Sequence, residues 1–199
     1  MQVDNIPVLL LTGYLGSGKT TLLNHILTNR RGIRFAVIVN DIGEVNIDAE
    51  LIQKGGIVAQ QDDSLVALQN GCICCSLKMD LVEQLRDLCA QQCFDYIVIE
   101  ASGICEPAPI AQTICSYSSM VPVTSAPIPQ LDAVVTIVDA LRLRDEFAAG
   151  DDLQKHYVKE EDISALVVEQ IEFCNLILLN KVSMVSMEER KHIRAILRA

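Results

Sequence analysis

The octapeptide Gly13-Tyr14-Leu15-Gly16-Ser17-Gly18-Lys19-Thr20 constrains this chain more than any other feature. It is a complete G-x-x-x-x-G-K-T sequence set between the apolar run 8–12 and a segment of helical period that begins at Lys19. Strand, loop and helix in that order are the context that gives the motif its meaning. Small residues let successive backbone N–H groups curl around phosphate oxygens at a helix N-terminus, while Lys19 reaches the β and γ phosphates and Thr20 ligates magnesium. Gly13, Gly16, Ser17, Gly18, Lys19, Thr20 and the adjoining Thr21 are therefore the expected nucleotide-binding residues. Such a loop lets an acidic chain bind a still more acidic ligand. With 16 basic against 26 acidic residues and a net charge of -10, no broad basic surface is available to neutralise a nucleic-acid backbone.

The 199 residues are 50% hydrophobic, enough for a sizeable core and consistent with one domain over 1–199. Short apolar runs alternate with segments that are apolar at three- and four-residue spacing, which predicts an α/β fold with a doubly wound, mostly parallel sheet. Strands are expected at 8–12, 34–40, 65–68, 96–100, 133–138 and 176–180. Each is largely apolar, as befits strands covered by helices on both faces. Helices are expected at 19–29, 79–92, 107–115, 140–147, 162–173 and 187–197, and the Ser- and Pro-containing stretch 116–130 reads as the longest irregular connection, a mobile surface loop. No apolar run approaches the roughly 20 residues of a membrane span. The N-terminus also lacks the basic region and apolar stretch of a signal peptide. A cytoplasmic protein without membrane contact is expected, its eight cysteines mostly reduced.

Glu100 ends the apolar run 96–99 and opens Glu100-Ala101-Ser102-Gly103. A carboxylate at the C-terminal tip of a strand faces the ligand crevice of an open α/β sheet, where it can hold magnesium or orient an attacking water. Gly103 can then approach the γ phosphate through its N–H. Asp139 occupies a similar tip and reads as a helix N-cap. A third signal is Gly71-Cys72-Ile73-Cys74-Cys75. Cys89, Cys93, Cys115 and Cys174 lie on apolar helix faces or at element ends and read as inert. Three cysteines within four positions are different. In an extended chain Cys72 and Cys74 share a face and Cys75 points away, so they converge only if the backbone turns. Converged thiolates favour zinc or another borderline-soft divalent ion, and three ligands leave the site open for exchange. A vicinal disulfide and plain structural cysteines are the competing readings.

Taken as a set, the segments 7–24, 40–48, 70–75, 100–103, 135–140 and 180–181 resemble the CobW-type P-loop GTPases, relatives of the nickel-insertion proteins HypB and UreG. The Cys-x-Cys-Cys motif is specific to the CobW branch. The resemblance implies a GTP-dependent metallochaperone that couples nucleotide state to the binding or transfer of a transition metal, zinc or cobalt, destined for a client metalloprotein. It places 40–48 in the first switch segment and adds Asp41 and Glu44 to Thr20 and Glu100 as magnesium candidates. It makes Asn180 and Lys181 nucleotide-binding residues, with Lys19 and Glu100 carrying catalysis. Members of the family have Asp two residues after the Asn-Lys pair, where this chain has Ser183, a weaker match to paired guanine donors. They also continue into a C-terminal domain, absent from this sequence.

Two other readings use the same loop. A small-molecule kinase would need a basic lid, and 116–130 contains no basic residue. A nucleotide-gated metal-sensing module would bind without appreciable turnover.

Overall fold

Alternation along the apolar runs decides which helix covers which face of the sheet. The computed structural model describes residues 5–28, 32–39, 65–69, 77–122, 126–147 and 163–198. In chain order these form β1 (Asn5–Thr12), α1 (Lys19–Leu27), β2 (Phe35–Val39), β3 (Leu65–Gln69), α2 (Leu77–Gln91), β4 (Tyr96–Glu100) and α3 (Pro107–Met120). There follow β5 (Ile128–Asp139), α4 (Ala140–Glu146), α5 (Ile163–Glu172), β6 (Leu176–Asn180), a 3-10 turn (Val182–Met184) and α6 (Met187–Ile196). The strands make one parallel sheet in the order β3-β2-β4-β1-β5-β6. Successive side chains point to opposite faces. Val8, Leu10, Ile97 and Ile99 therefore pack with Leu85 and Leu88 of α2 and Ile110 and Ile114 of α3. On the other face Leu11, Val37, Val98 and Val135 pack with Leu23 of α1. Val138 leads a third cluster with Leu143, Val167 and Ile193 of α4, α5 and α6. This is the expected doubly wound arrangement.

Burial, not ion pairing, holds the sheet. Leu10, Leu11, Leu85 and Leu88 are fully enclosed, and each such side chain is worth roughly 1.5–3 kcal/mol relative to exposure. Exposed pairs are worth far less. One of them sets register: Arg34 Nη2 donates to Asp95 Oδ1 at 2.7 Å and Arg34 N to Asp95 Oδ2 at 2.8 Å, clamping the start of β2 to the approach to β4. Hydrogen bonds from Arg34 pull the Asp95 carboxyl down to about 2.

The reading of 116–130 as an irregular connection is corrected at both ends. Helix α3 continues to Met120 because buried Tyr117 extends the stripe of Ile110 and Ile114, leaving Ser118 and Ser119 on the exposed side. Strand β5 begins at Ile128, with Pro129 opposite Ile6, and a register shift between Val8 and Leu9 absorbs the irregularity. Cys89 is buried as read, its thiol pushed up to about 11 by burial. Cys115 is exposed, so it is not a core residue. Among the described residues no helix is long and apolar enough to cross a membrane.

Candidate functional site

The loop between β1 and α1 folds as its glycines dictate. Gly13 has φ +135, and a Cβ there would fall on the carbonyl oxygen of Ile137 in β5, so only glycine lets the loop leave β1 this close to the neighbouring strand. Gly18 is the N-cap of α1 at φ 107, and α1 has neither a side-chain cap nor an acidic residue in its first turn. Two other helices, α4 and α6, are closed at this end by side chains. Ser186 and Glu189 form a capping box on α6, and Asp139 Oδ1 caps α4 by accepting from Leu141 N and Arg142 N, as expected for Asp139. The first-turn amides of α1 thus remain for an anion, in the field of the helix dipole.

Lys19 curls back over the loop. Its Nζ donates to the carbonyl oxygens of Gly13 at 2.8 Å and Tyr14 at 3.4 Å, and only 7% of the residue is exposed. One residue on, Thr20 Oγ1 donates to Glu100 Oε1 at 3.0 Å. Glu100 is buried at the tip of β4, opposite Leu11 of β1 and Val39 of β2. The structure therefore brings the loop hydroxyl and the strand-tip carboxylate together, 80 residues apart in sequence. Two hard oxygen donors side by side beneath a phosphate loop suit Mg²⁺. Gly103 lies against the loop: a Cβ there would come within 2.6 Å of Leu15 N and 2.9 Å of Leu15 Cα.

Asn180 and Lys181 also converge on the loop, through its backbone. Asn180 Nδ2 donates to the Ser17 carbonyl at 2.8 Å, and Lys181 Nζ donates to the Gly16 carbonyl at 2.9 Å and to Asp139 Oδ2 at 2.5 Å. Lys181 takes the left-handed conformation, φ 55, which turns the chain from β6 into the 3-10 turn. The turn carries the exposed Ser183. Thr21, Leu22 and His25 of α1 face Leu178 and Asn180 across a cleft of about 300 Å³.

Two residues at this site were not anticipated. Arg142 Nη1 donates to the Leu15 carbonyl at 2.5 Å, with its guanidinium 4.5 Å above the Tyr14 ring. Gln170 Nε2 donates to the carbonyls of Gly103 at 3.3 Å and Cys105 at 3.1 Å. The signal for Gln170 was a lone amide on the apolar face of α5. Its neighbour Glu169 has a carboxyl pushed up by burial and then by Glu106. Asp41, Glu44, Cys72, Cys74 and Cys75, with the rest of 40–48 and 70–75, lie outside the described residues.

Comparison with known proteins agrees with this geometry. The profile of the family described as CobW/HypB/UreG, nucleotide-binding domain, matches residues 7–199. The chain is 39% identical over 207 residues to Zinc-regulated GTPase metalloprotein activator 1 of Dictyostelium discoideum, covering 98% of this chain and 44% of that protein. It is 34% identical over 197 residues to Zinc chaperone YjiA of Escherichia coli (strain K12), covering 96% and 54%. The chain thus spans about half the length of the curated relatives it matches. A solved Zn(II)-bound triple mutant of the YjiA GTPase superposes with TM-score 0.58 at 28% identity, covering 95% of this chain and 53% of that one. The hydrogenase maturation factor HypB from Archaeoglobus fulgidus, at 17% identity and TM-score 0.52 over 96% of this chain and 76% of its own, shares the fold.

Proposed function

This chain belongs to the CobW/HypB/UreG family, within its nucleotide-binding domain, and from that premise we propose that it binds GTP, hydrolyses it, and couples nucleotide state to the handling of a transition-metal ion. Zinc is the first choice of cargo, because the relatives include proteins named zinc chaperones and a zinc-regulated GTPase activator, and cobalt is the second. The observation that carries the enzymatic half is the meeting of Thr20 and Glu100 beside the Lys19 loop. When bound, Mg²⁺ held by Thr20 and Glu100, with Asp41 and Glu44 as further donors, would neutralise charge on the phosphate oxygens. Lys19 leaves the loop carbonyls for the β and γ phosphates. The first amides of α1 and the Gly103 N–H face the charge that develops as the bond to the γ phosphorus breaks. Water adds to that phosphorus, the bridging oxygen leaves with GDP, and inorganic phosphate and a proton are released. Glu100 is assigned to orient the water. Asn180 and Lys181 brace the loop from the side on which the base enters.

Cys72, Cys74 and Cys75 are assigned to the cargo as thiolate ligands, and a client metalloprotein is its destination. The described cysteines, Cys89, Cys93, Cys105, Cys115 and Cys174, are all free thiols, which suits a reducing cytoplasm.

Phosphate release with GTP and with ATP tests the enzymatic reading. The chain is expected to turn over GTP, slowly, and to prefer it to ATP by a modest factor because Ser183 stands where a guanine-reading carboxylate would accept two hydrogen bonds. Ser183→Asp should widen that preference about tenfold, in line with hydrogen bonds to a charged acceptor. Turnover no higher than in Lys19→Ala would contradict the GTPase assignment. A preference unmoved by Ser183→Asp would assign base reading to other groups.

A further inference from the structure

Gln170 is among the largest fully buried side chains of the protein, 1% exposed, on the face of α5 that also buries Val167. A buried amide in an apolar stripe is retained at a cost unless its hydrogen bonds are used. Both donors of Gln170 are used on one turn: Nε2 serves the Gly103 carbonyl at 3.3 Å and the Cys105 carbonyl at 3.1 Å. The backbone of the same residue is anchored too, since Thr136 Oγ1 of β5 donates to the Gln170 carbonyl at 2.6 Å. The turn closes on itself through Cys105 N to Ser102 O at 3.1 Å.

The other side of that turn is the phosphate loop. Gly103 is so close to Leu15 that a single added methyl group would meet Leu15 N at 2.6 Å, and Leu15 is in turn held by Arg142 through its carbonyl. A continuous line of contacts therefore runs from β5 through α5 and Gln170 to the 101–105 turn and on to the tip of the loop. An apolar residue of equal size would fill the space but withdraw the Gln170 N–H groups from the Gly103 and Cys105 carbonyls. A carboxylate would set acceptor against acceptor. Glutamine is the uncharged side chain whose amide carries two N–H groups on a stem long enough to bridge the helix and the turn.

We infer that Gln170 is a positioning residue for the γ-phosphate end of the site, fixing the 101–105 turn so that the Gly103 N–H meets the terminal phosphate of a triphosphate. It touches no nucleotide itself. The inference rests on the GTPase reading above and deepens it by naming the residue that separates triphosphate from diphosphate. A diphosphate, held by the loop and Lys19, makes no use of Gly103, so the effect of losing Gln170 falls on GTP and on turnover and spares GDP.

The test is calorimetric titration of GDP and a non-hydrolysable GTP analogue, with steady-state phosphate release, on the wild type and Gln170→Met. The expected result is GDP affinity within about twofold of wild type, analogue affinity weakened about tenfold, and kcat lowered at least tenfold. Equal losses for both nucleotides, or no loss for either, would overturn the inference. If the Met variant does not fold, hydrogen exchange on the unmutated chain decides. The segments 101–105 and 163–172 should gain protection together with the GTP analogue and not with GDP, and a gain in 101–105 alone would overturn the link. Wild-type turnover separates the two readings. A wild type that does not hydrolyse GTP overturns the GTPase reading itself, whereas an active wild type matched by Gln170→Met overturns only the role of Gln170.

Discussion

Lys19→Ala is expected to weaken binding of GTP about a hundredfold or more, and of GDP by less, while leaving a cooperatively folded chain. The ammonium group lies inside the curl of the loop, bonded to the Gly13 and Tyr14 carbonyls. Nucleotide binding replaces those neutral acceptors with charged phosphate oxygens, and hydrogen bonds to charged groups are worth about 1.5–3 kcal/mol each. Two such contacts, less the carbonyl bonds given up, leave about 3 kcal/mol, or roughly two decades in affinity. Folding is spared because the three hydrophobic clusters exclude this side chain. Titration of labelled nucleotide, with a thermal melt as control, checks both halves. Affinity within a few-fold of wild type would show that the loop does not cradle phosphates as assigned.

Glu100→Gln should lower GTP turnover about a hundredfold or more at saturating nucleotide, the scale associated with loss of a positioned acid–base group. The amide is the same size and retains an oxygen to accept from Thr20 Oγ1, so the 3.0 Å contact and the tip of β4 survive. What disappears is the negative charge. Binding of GDP without magnesium should change little, whereas the magnesium dependence of turnover should shift to higher concentration. Phosphate release across a magnesium titration measures it. Turnover within about threefold of wild type would remove Glu100 from the reaction.

The positions of those two residues, Lys19 opening α1 after the loop and Glu100 ending β4, were legible in the sequence because each belongs to a short motif whose local order fixes its neighbourhood. The sheet was legible for a related reason: strands buried on both faces must be nearly continuous apolar runs, as at Phe35–Val39 and Tyr96–Glu100. Where composition was read in place of pattern, the reading failed. The serines after Cys115 suggested a loop, yet Tyr117 continues the helical stripe, and serine on an exposed helix face costs only a few tenths of a kcal/mol. Pro129 suggested no strand, because a proline lacks the N–H that a ladder uses, but the shifted register at Val8 and Leu9 accommodates it. Asn180 and Lys181 were read as nucleotide contacts from a motif. Their side chains reach the Ser17 and Gly16 carbonyls, a brace that only tertiary placement reveals. Arg142 and Gln170 had no motif at all, since their partners lie 127 and 67 residues away.

The metal-handling half of the account rests on linkage. If closure of the first switch on GTP completes a site that begins with Cys72, Cys74 and Cys75, the metal must tighten GTP binding by the same factor by which GTP tightens metal binding. The direct measurement is competition titration of zinc and of cobalt against a chelator of known affinity, with a non-hydrolysable GTP analogue, with GDP and with no nucleotide. It is made on the wild type and on the variant carrying Cys72→Ser, Cys74→Ser and Cys75→Ser. The account predicts that the analogue raises metal affinity about 5- to 150-fold over GDP, the usual span of allosteric coupling, and that the triple variant loses both the site and the difference. Equal metal affinity in all three nucleotide states would contradict it, leaving a GTPase whose cysteines serve structure or redox chemistry.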